Sequence, residues 1–149
     1  MRGWVALAAI LMTAAACGSP DTGTAPSPSP TPSPAALVFQ LDGVGTTTAK
    51  GTMTVTTTPT SLNVELKITG LQGGSIHVSH IHTGSCAARG GIKFALKPVI
   101  ADDQGTADIT STVTAGFPPQ SGTWYVVVHV GPDMSGTNSR YLLCGNLFK

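Results

Sequence analysis

Three of the chain's four histidines and one of its three cysteines fall within His77-Val-Ser-His80-Ile-His82-Thr-Gly-Ser-Cys86. In an extended strand, residues two apart point to the same side. His80 and His82 therefore project together, while Ile81 between them turns the other way, toward a core. Two imidazoles on one strand face form half of a transition-metal site, because imidazole suits copper, zinc and nickel. The remaining histidine, His129, ends Val126-Val-Val-His129, in the most apolar of the expected strands. A polar strand edge that merely meets water is the simpler alternative for a lone histidine. A His-x-His pair on a β-branched strand, with another histidine on a second strong strand, points to metal binding. Strict alternation turns His77 away from His80. A β-bulge at Val78-Ser79 would instead place Ile76, Val78 and Ile81 inside and His77, His80 and His82 outside. Even then His77 is expected to be a polar neighbour of the site rather than a ligand.

The elements that position these residues are short strands. Beyond the N-terminal segments, Thr, Val, Gly and Ser are abundant and charged residues make up 10% of the chain, a composition that favours strands and turns over helices. Strands are expected near Ala36–Leu41, Gly51–Thr58, Ser61–Thr69, Ser75–His82, Ile92–Ile100, Thr106–Val113, Thr123–Val130 and Arg140–Leu147. Thr52-Met-Thr-Val-Thr and Leu62-Asn-Val-Glu-Leu-Lys-Ile alternate, as half-buried strands do. No segment shows a helical period over a useful length. Eight short antiparallel strands imply an all-β, Greek-key β-sandwich or flattened barrel.

Residues 1–16 read as an export signal. Arg2 supplies the positive region, Trp4 to Met12 the apolar one, and Ala14-Ala15-Ala16 lead into Cys17. The apolar run is too short for an ordinary membrane span. A cysteine at the cleavage boundary followed by Gly18-Ser19 resembles a bacterial lipoprotein signal. That resemblance makes Cys17 the lipidated first residue of an exported, envelope-anchored protein, the alternative being plain cleavage that leaves a free thiol. Residues 17–35 contain Pro-Ser-Pro-Ser-Pro-Thr-Pro-Ser-Pro, which cannot pack a core and forms a semi-rigid tether. The globular domain is residues 36–149. Eight Lys and Arg, one of them Arg2, face seven Asp and Glu. That balance provides no field to attract nucleic acid or an acidic membrane surface, so membrane contact is expected through the anchor alone. With Cys17 assigned, Cys86 and Cys144 remain, and export to an oxidising compartment makes a disulfide between them the default.

Four segments, in order, carry a resemblance to the copper/zinc superoxide dismutases, and more loosely to the CHRD domains. They are His80-Ile-His82 with Gly84-Ser-Cys86, Asp103-Gln-Gly-Thr-Ala-Asp-Ile109, Val126-Val-Val-His129, and Ser139-Arg-Tyr-Leu-Leu-Cys-Gly145. The resemblance implies a dismutase-like fold, copper as cofactor on His80, His82 and His129, and a Cys86–Cys144 structural disulfide. It also implies that Arg140 guides a small anion such as superoxide, although it stands one residue further from its cysteine than in the family. Asp133, four after His129, falls where dismutases keep a carboxylate that orients a ligating imidazole, the alternative being a simple turn residue of Gly131-Pro-Asp133. The departure is the loop Ala87-Ala-Arg-Gly-Gly-Ile-Lys-Phe-Ala-Leu-Lys-Pro98, which has no histidine or aspartate, so no zinc site is expected. Two functions follow: a dismutase-like enzyme at a zinc-free copper site, or a non-catalytic CHRD-like envelope module that binds or delivers copper or recognises envelope components.

Overall fold

Alternation of apolar and polar residues sets strands such as Lys50–Thr57 and Leu62–Thr69. In Leu62–Thr69, the side chains of Leu62, Val64, Leu66 and Ile68 are buried, while Asn63, Glu65, Lys67 and Thr69 face outward. A computed structural model describes residues 35–148. The signal segment, Cys17 and all but the last residue of the tether lie outside the described residues.

Ten strands follow in chain order: β1 Ala36–Gly43, β2 Lys50–Thr57, β3 Leu62–Thr69, β4 Ile76–His77, β5 Ser79–Gly84, β6 Arg89–Ala95, β7 Val99–Ile100, β8 Ala107–Val113, β9 Trp124–His129 and β10 Tyr141–Asn146. Eight of them form one antiparallel sheet in the order β6-β5-β9-β10-β1-β2-β3-β8, and β4 pairs with β7 beside it. The connections β3 to β5 and β8 to β9 cross from one half of the sheet to the other, which is the expected Greek key. β1 is the pivot: Ala36–Leu41 pair with β2, and Asp42–Gly43 pair with β10. The sheet curls, and the Lys97 N–H, in the segment that follows β6, donates to Ser111 Oγ of β8 at 2.9 Å. Inside the curl lie Leu41, Met53, Val55, Leu66, Ile68, Ile81, Val126, Val128 and Leu143. Each such side chain removed from water contributes roughly 1.5–3 kcal/mol.

Two expected strands are each broken in two. Ser75–His82 divides at Val78, and Ile92–Ile100 divides at Leu96-Lys97-Pro98, where the proline cannot donate to a ladder. The first break replaces the bulge expected at Val78-Ser79. Ile76 is 45% exposed and pairs with Ile100, while His77 is turned inward and only 6% exposed. The physical reason is the separate β4–β7 pairing, which takes His77 out of the register of His80 and His82.

β9 is buried along its whole length. Its even-numbered residues face the interior of the curl. Tyr125 and Val127 instead face outward, joining Cys144, Cys86, Val44 and Tyr141 in a second apolar cluster on the outer surface of the sheet. That outer cluster is the floor of the histidine site.

Candidate metal centre

Strand register assembles the site. His80 lies opposite Val127 and His82 opposite Tyr125 across the β5–β9 ladder, and His129 lies opposite Tyr141 across β9–β10. Alternation along β5 and β9 then puts His80, His82, Tyr125, Val127 and His129 on one outward face. The ring centroids are 5.9 Å apart for His80–His82, 5.1 Å for His80–His129 and 5.8 Å for His82–His129. One ring nitrogen from each of the three lies within 4.8 Å of the other two, so the trio can hold a metal ion. Among the described residues this is the group of His, Cys, Asp or Glu side chains so arranged.

Backbone carbonyls set the tautomers. His129 Nδ1 lies 2.8 Å from the Ser139 carbonyl oxygen, and His82 Nδ1 lies 3.1 Å from that of Gly90. A carbonyl only accepts, so each Nδ1 carries the proton and donates, leaving Nε2 as a free lone pair. His82 Nε2, His129 Nε2 and His80 Nδ1 are the buried side-chain polar atoms without a hydrogen-bond partner among the described residues. An unsatisfied buried polar atom costs about 1–3 kcal/mol. Three such atoms converging on one point fit the requirement of a cation with nitrogen ligands. His82 and His129 are 4% and 1% exposed, whereas His80 is half-buried, so the cluster opens to solvent on the His80 side.

Burial, then the neighbouring His129 and His82, lowers the His80 pKa from 6.5 to about 4. Burial also lowers that of His129, against the hydrogen bond to Ser139. Neutral imidazole, the form that binds metal, is therefore favoured at both positions. A folded-state pKa below the unfolded value means that the unfolded chain takes up protons first as pH falls. The metal-free protein is expected to hold its full stability above pH 6.5 and to lose part of it between 6.5 and about 4. Denaturant midpoints measured across that window should fall less steeply in His80→Gln. Parallel curves for the two proteins would refute the assignment.

Gly90 reaches His82 because the chain folds back closely there: a Cβ on Gly90 would collide with the Thr83 carbonyl oxygen. The loop ahead of it is fixed by the Cys86–Cys144 disulfide and by the Cys86 N–H donating to Asn146 Oδ1 at 2.9 Å. Two tyrosines that the sequence reading missed complete the walls. The Tyr125 ring lies 5.1 Å from His82, and Tyr141 lies 5.5 Å from His129 and 5.8 Å from His82. Their hydroxyls are 2.8 Å apart. Burial, followed by that hydrogen bond, pushes the Tyr141 pKa up to about 12, so it stays a neutral phenol. Tyr125, Val127 and His129 stand at alternate positions of one strand, and that spacing was the available signal.

The other expected site residues lie around this trio. His77 stays outside the trio, with Nδ1 2.9 Å from the carbonyl oxygens of both His129 and Val130, where it clamps the end of β9. Asp133 contacts no imidazole. Its Oδ1 accepts from the Ser135 N–H at 2.7 Å and from Asn138 Nδ2 at 3.0 Å, which closes its own turn. The orienting role expected of Asp133 falls to the Ser139 carbonyl. Arg140 is exposed, and its Nε donates to the Thr137 carbonyl at 3.3 Å.

Comparison with known proteins agrees with this architecture. The profile of the CHRD domain matches residues 34–135, more than half of the chain. The chain belongs to the CHRD domain family. The CHRD match takes in His80, His82, Cys86, His129 and Asp133 and ends before Arg140, Tyr141 and Cys144. Among solved structures, this CHRD chain is similar to a SOD-like protein from Bacillus subtilis. The TM-score is 0.59 at 13% identity, covering 76% of this chain and 100% of the other. At that identity the likeness shows a shared fold, the superoxide dismutase-like Greek key. No curated protein matches the sequence. Among the described residues no helix is long and apolar enough to cross a membrane.

Proposed function

We propose that this protein is an exported, lipid-anchored, copper-binding module of dismutase-like architecture, converting superoxide to oxygen and hydrogen peroxide at a zinc-free site. The observation that carries the reading is the convergence of three unpartnered ring nitrogens, on His80, His82 and His129. Copper suits three neutral imidazoles best among common divalent ions by the Irving–Williams order. When bound, it would supply the one-electron redox couple that dismutation needs. The protein's own residues do the rest. Ser139 and Gly90 carbonyls hold two imidazoles in the ligating tautomer, and the half-buried His80 side leaves an approach for a small anion. Arg140, the residue before β10, adds positive charge, which favours a superoxide anion over neutral competitors.

A second reading has support in the CHRD match itself, which stops short of Arg140. In that reading the trio binds or delivers copper without catalysis, or the domain recognises envelope components. Superoxide consumption by the copper-loaded full chain separates the two. A rate above that of free copper at equal concentration, reduced in Arg140→Ala, supports the enzyme. Stoichiometric copper with no such rate supports the module. Export and anchoring rest on residues 1–35: Cys17→Ser should remove a lipid's mass and shift the protein out of detergent phase, and an unmodified wild-type mature chain would refute the anchor.

A further inference from the structure

Tyr141 is sandwiched. One side meets the histidines, and over its ring sits the guanidinium of Arg89, with Cζ 4.3 Å from the ring centroid. Arg89 was not singled out by the sequence reading, because it belongs to the loop whose interest lay in the ligands it lacks. In the fold, Arg89, Arg140 and Tyr141 line the same open cleft, of about 670 Å³. The hydroxyl-bearing Thr46, Thr47 and Ser139 also line it, and no Asp or Glu does. Among the described residues, ion pairs with a carboxylate are made by Lys67, to Glu65 and Asp108, and by neither arginine. Arg140 uses Nε on the Thr137 carbonyl, and among the described residues its terminal N–H groups have no partner. The Arg89 guanidinium lies over the Tyr141 ring and, among the described residues, makes no side-chain hydrogen bond or ion pair.

We infer that the cleft between Arg89 and Arg140 is a binding site for a small oxyanion, a carboxylate or a phosphate. A planar guanidinium presents paired donors that match two oxygens of such a group, and it is weakly hydrated enough to bind in a partly apolar wall. The cation–π contact with Tyr141 restricts Arg89 before the ligand arrives, which reduces the ordering cost of binding. Two guanidiniums line one concavity that holds no carboxylate, so the cleft carries positive charge that an anion would neutralise. The site needs no metal and stands whether or not the histidine trio holds one.

The test uses the metal-free full chain, with inorganic phosphate and, separately, acetate as probes, read by the side-chain Nε resonances of arginine. Saturable shifts confined to Arg89 and Arg140 are expected with at least one probe. Binding through both probes assigns a general oxyanion site, and binding through one alone assigns phosphate or carboxylate. Arg89→Ala and Arg140→Ala should each weaken it by about tenfold or more, since hydrogen bonds to charged groups are the strong ones. Arg89→Lys, which keeps the charge and is least disruptive to folding, should still weaken it several-fold because the fork is gone. Lys93→Ala removes a charge from the same strand outside the cleft and should leave binding unchanged. Shifts that are linear in concentration and reproduced by sodium chloride at equal ionic strength would overturn the proposal. Equal losses in Lys93→Ala and Arg89→Ala would overturn it too.

Discussion

Copper binding to the full chain is expected to be stoichiometric in the wild type and to collapse when any one of His80, His82 or His129 becomes alanine. The three ring nitrogens lie within 4.8 Å of one another, and no fourth His, Cys, Asp or Glu joins them among the described residues. Each imidazole is thus a third of the protein's donor set. Loss of a group that merely orients a ligand typically costs about 10–100-fold in metal affinity, so loss of a ligand should cost about a hundredfold or more. His77→Ala and Asp133→Ala are the informative controls. Asp133 is committed to Ser135 and Asn138, so its removal should leave both stoichiometry and spectrum unchanged. His77 holds the carbonyl end of β9, so its removal should keep the stoichiometry and alter the spectrum through the position of His129. Competition with equimolar zinc should leave copper bound. Equal copper uptake by the wild type and the triple alanine variant would reduce the cluster to a surface artefact, and the non-catalytic module would then be the better reading.

The parts legible in the sequence are those governed by local rules. A period of two marks β2 and β3, and His80-Ile-His82 reads as a same-face pair because any strand makes it so. The break at Val78 was not legible. It depends on Ile76 and His77 finding β7, a partner more than twenty residues away whose register no local pattern encodes. Asp133 illustrates a different limit. A carboxylate at a suggestive spacing is satisfied more cheaply by the two donors of its own turn than by a distant imidazole. The tyrosines escaped notice for a third reason. Their importance comes from the outward face of β9, and alternation predicts a wet face there. The face is dry because the Cys86 loop and Val44 fold over it.

The covering loop makes the disulfide matter twice. Replacing Cys86 and Cys144 by alanine should lower stability by about 4 kcal/mol, the loop-closure value for a sequence separation of 58. For a domain of this size that corresponds to a fall in melting temperature of roughly 15 °C. The second effect is on the site. Cys144 sits in the outer cluster with Tyr125 and Val127, and the bond to Cys86 pins the segment that leads to Arg89 and Gly90. When that segment loosens, the Gly90 carbonyl no longer holds His82 Nδ1–H in place, and the ligating tautomer of His82 loses its support. Metal affinity should therefore fall by about 10–100-fold, the range seen when an orienting partner of a ligand is removed. The two effects are separable, since affinity is read at a temperature well below the variant's melting point. Mild reduction of the wild type should reproduce both, and reoxidation should restore them. A double variant that melts within a few degrees of wild type would contradict the stability argument. One that melts early yet binds copper with wild-type affinity would show that the loop, and not the disulfide, positions His82.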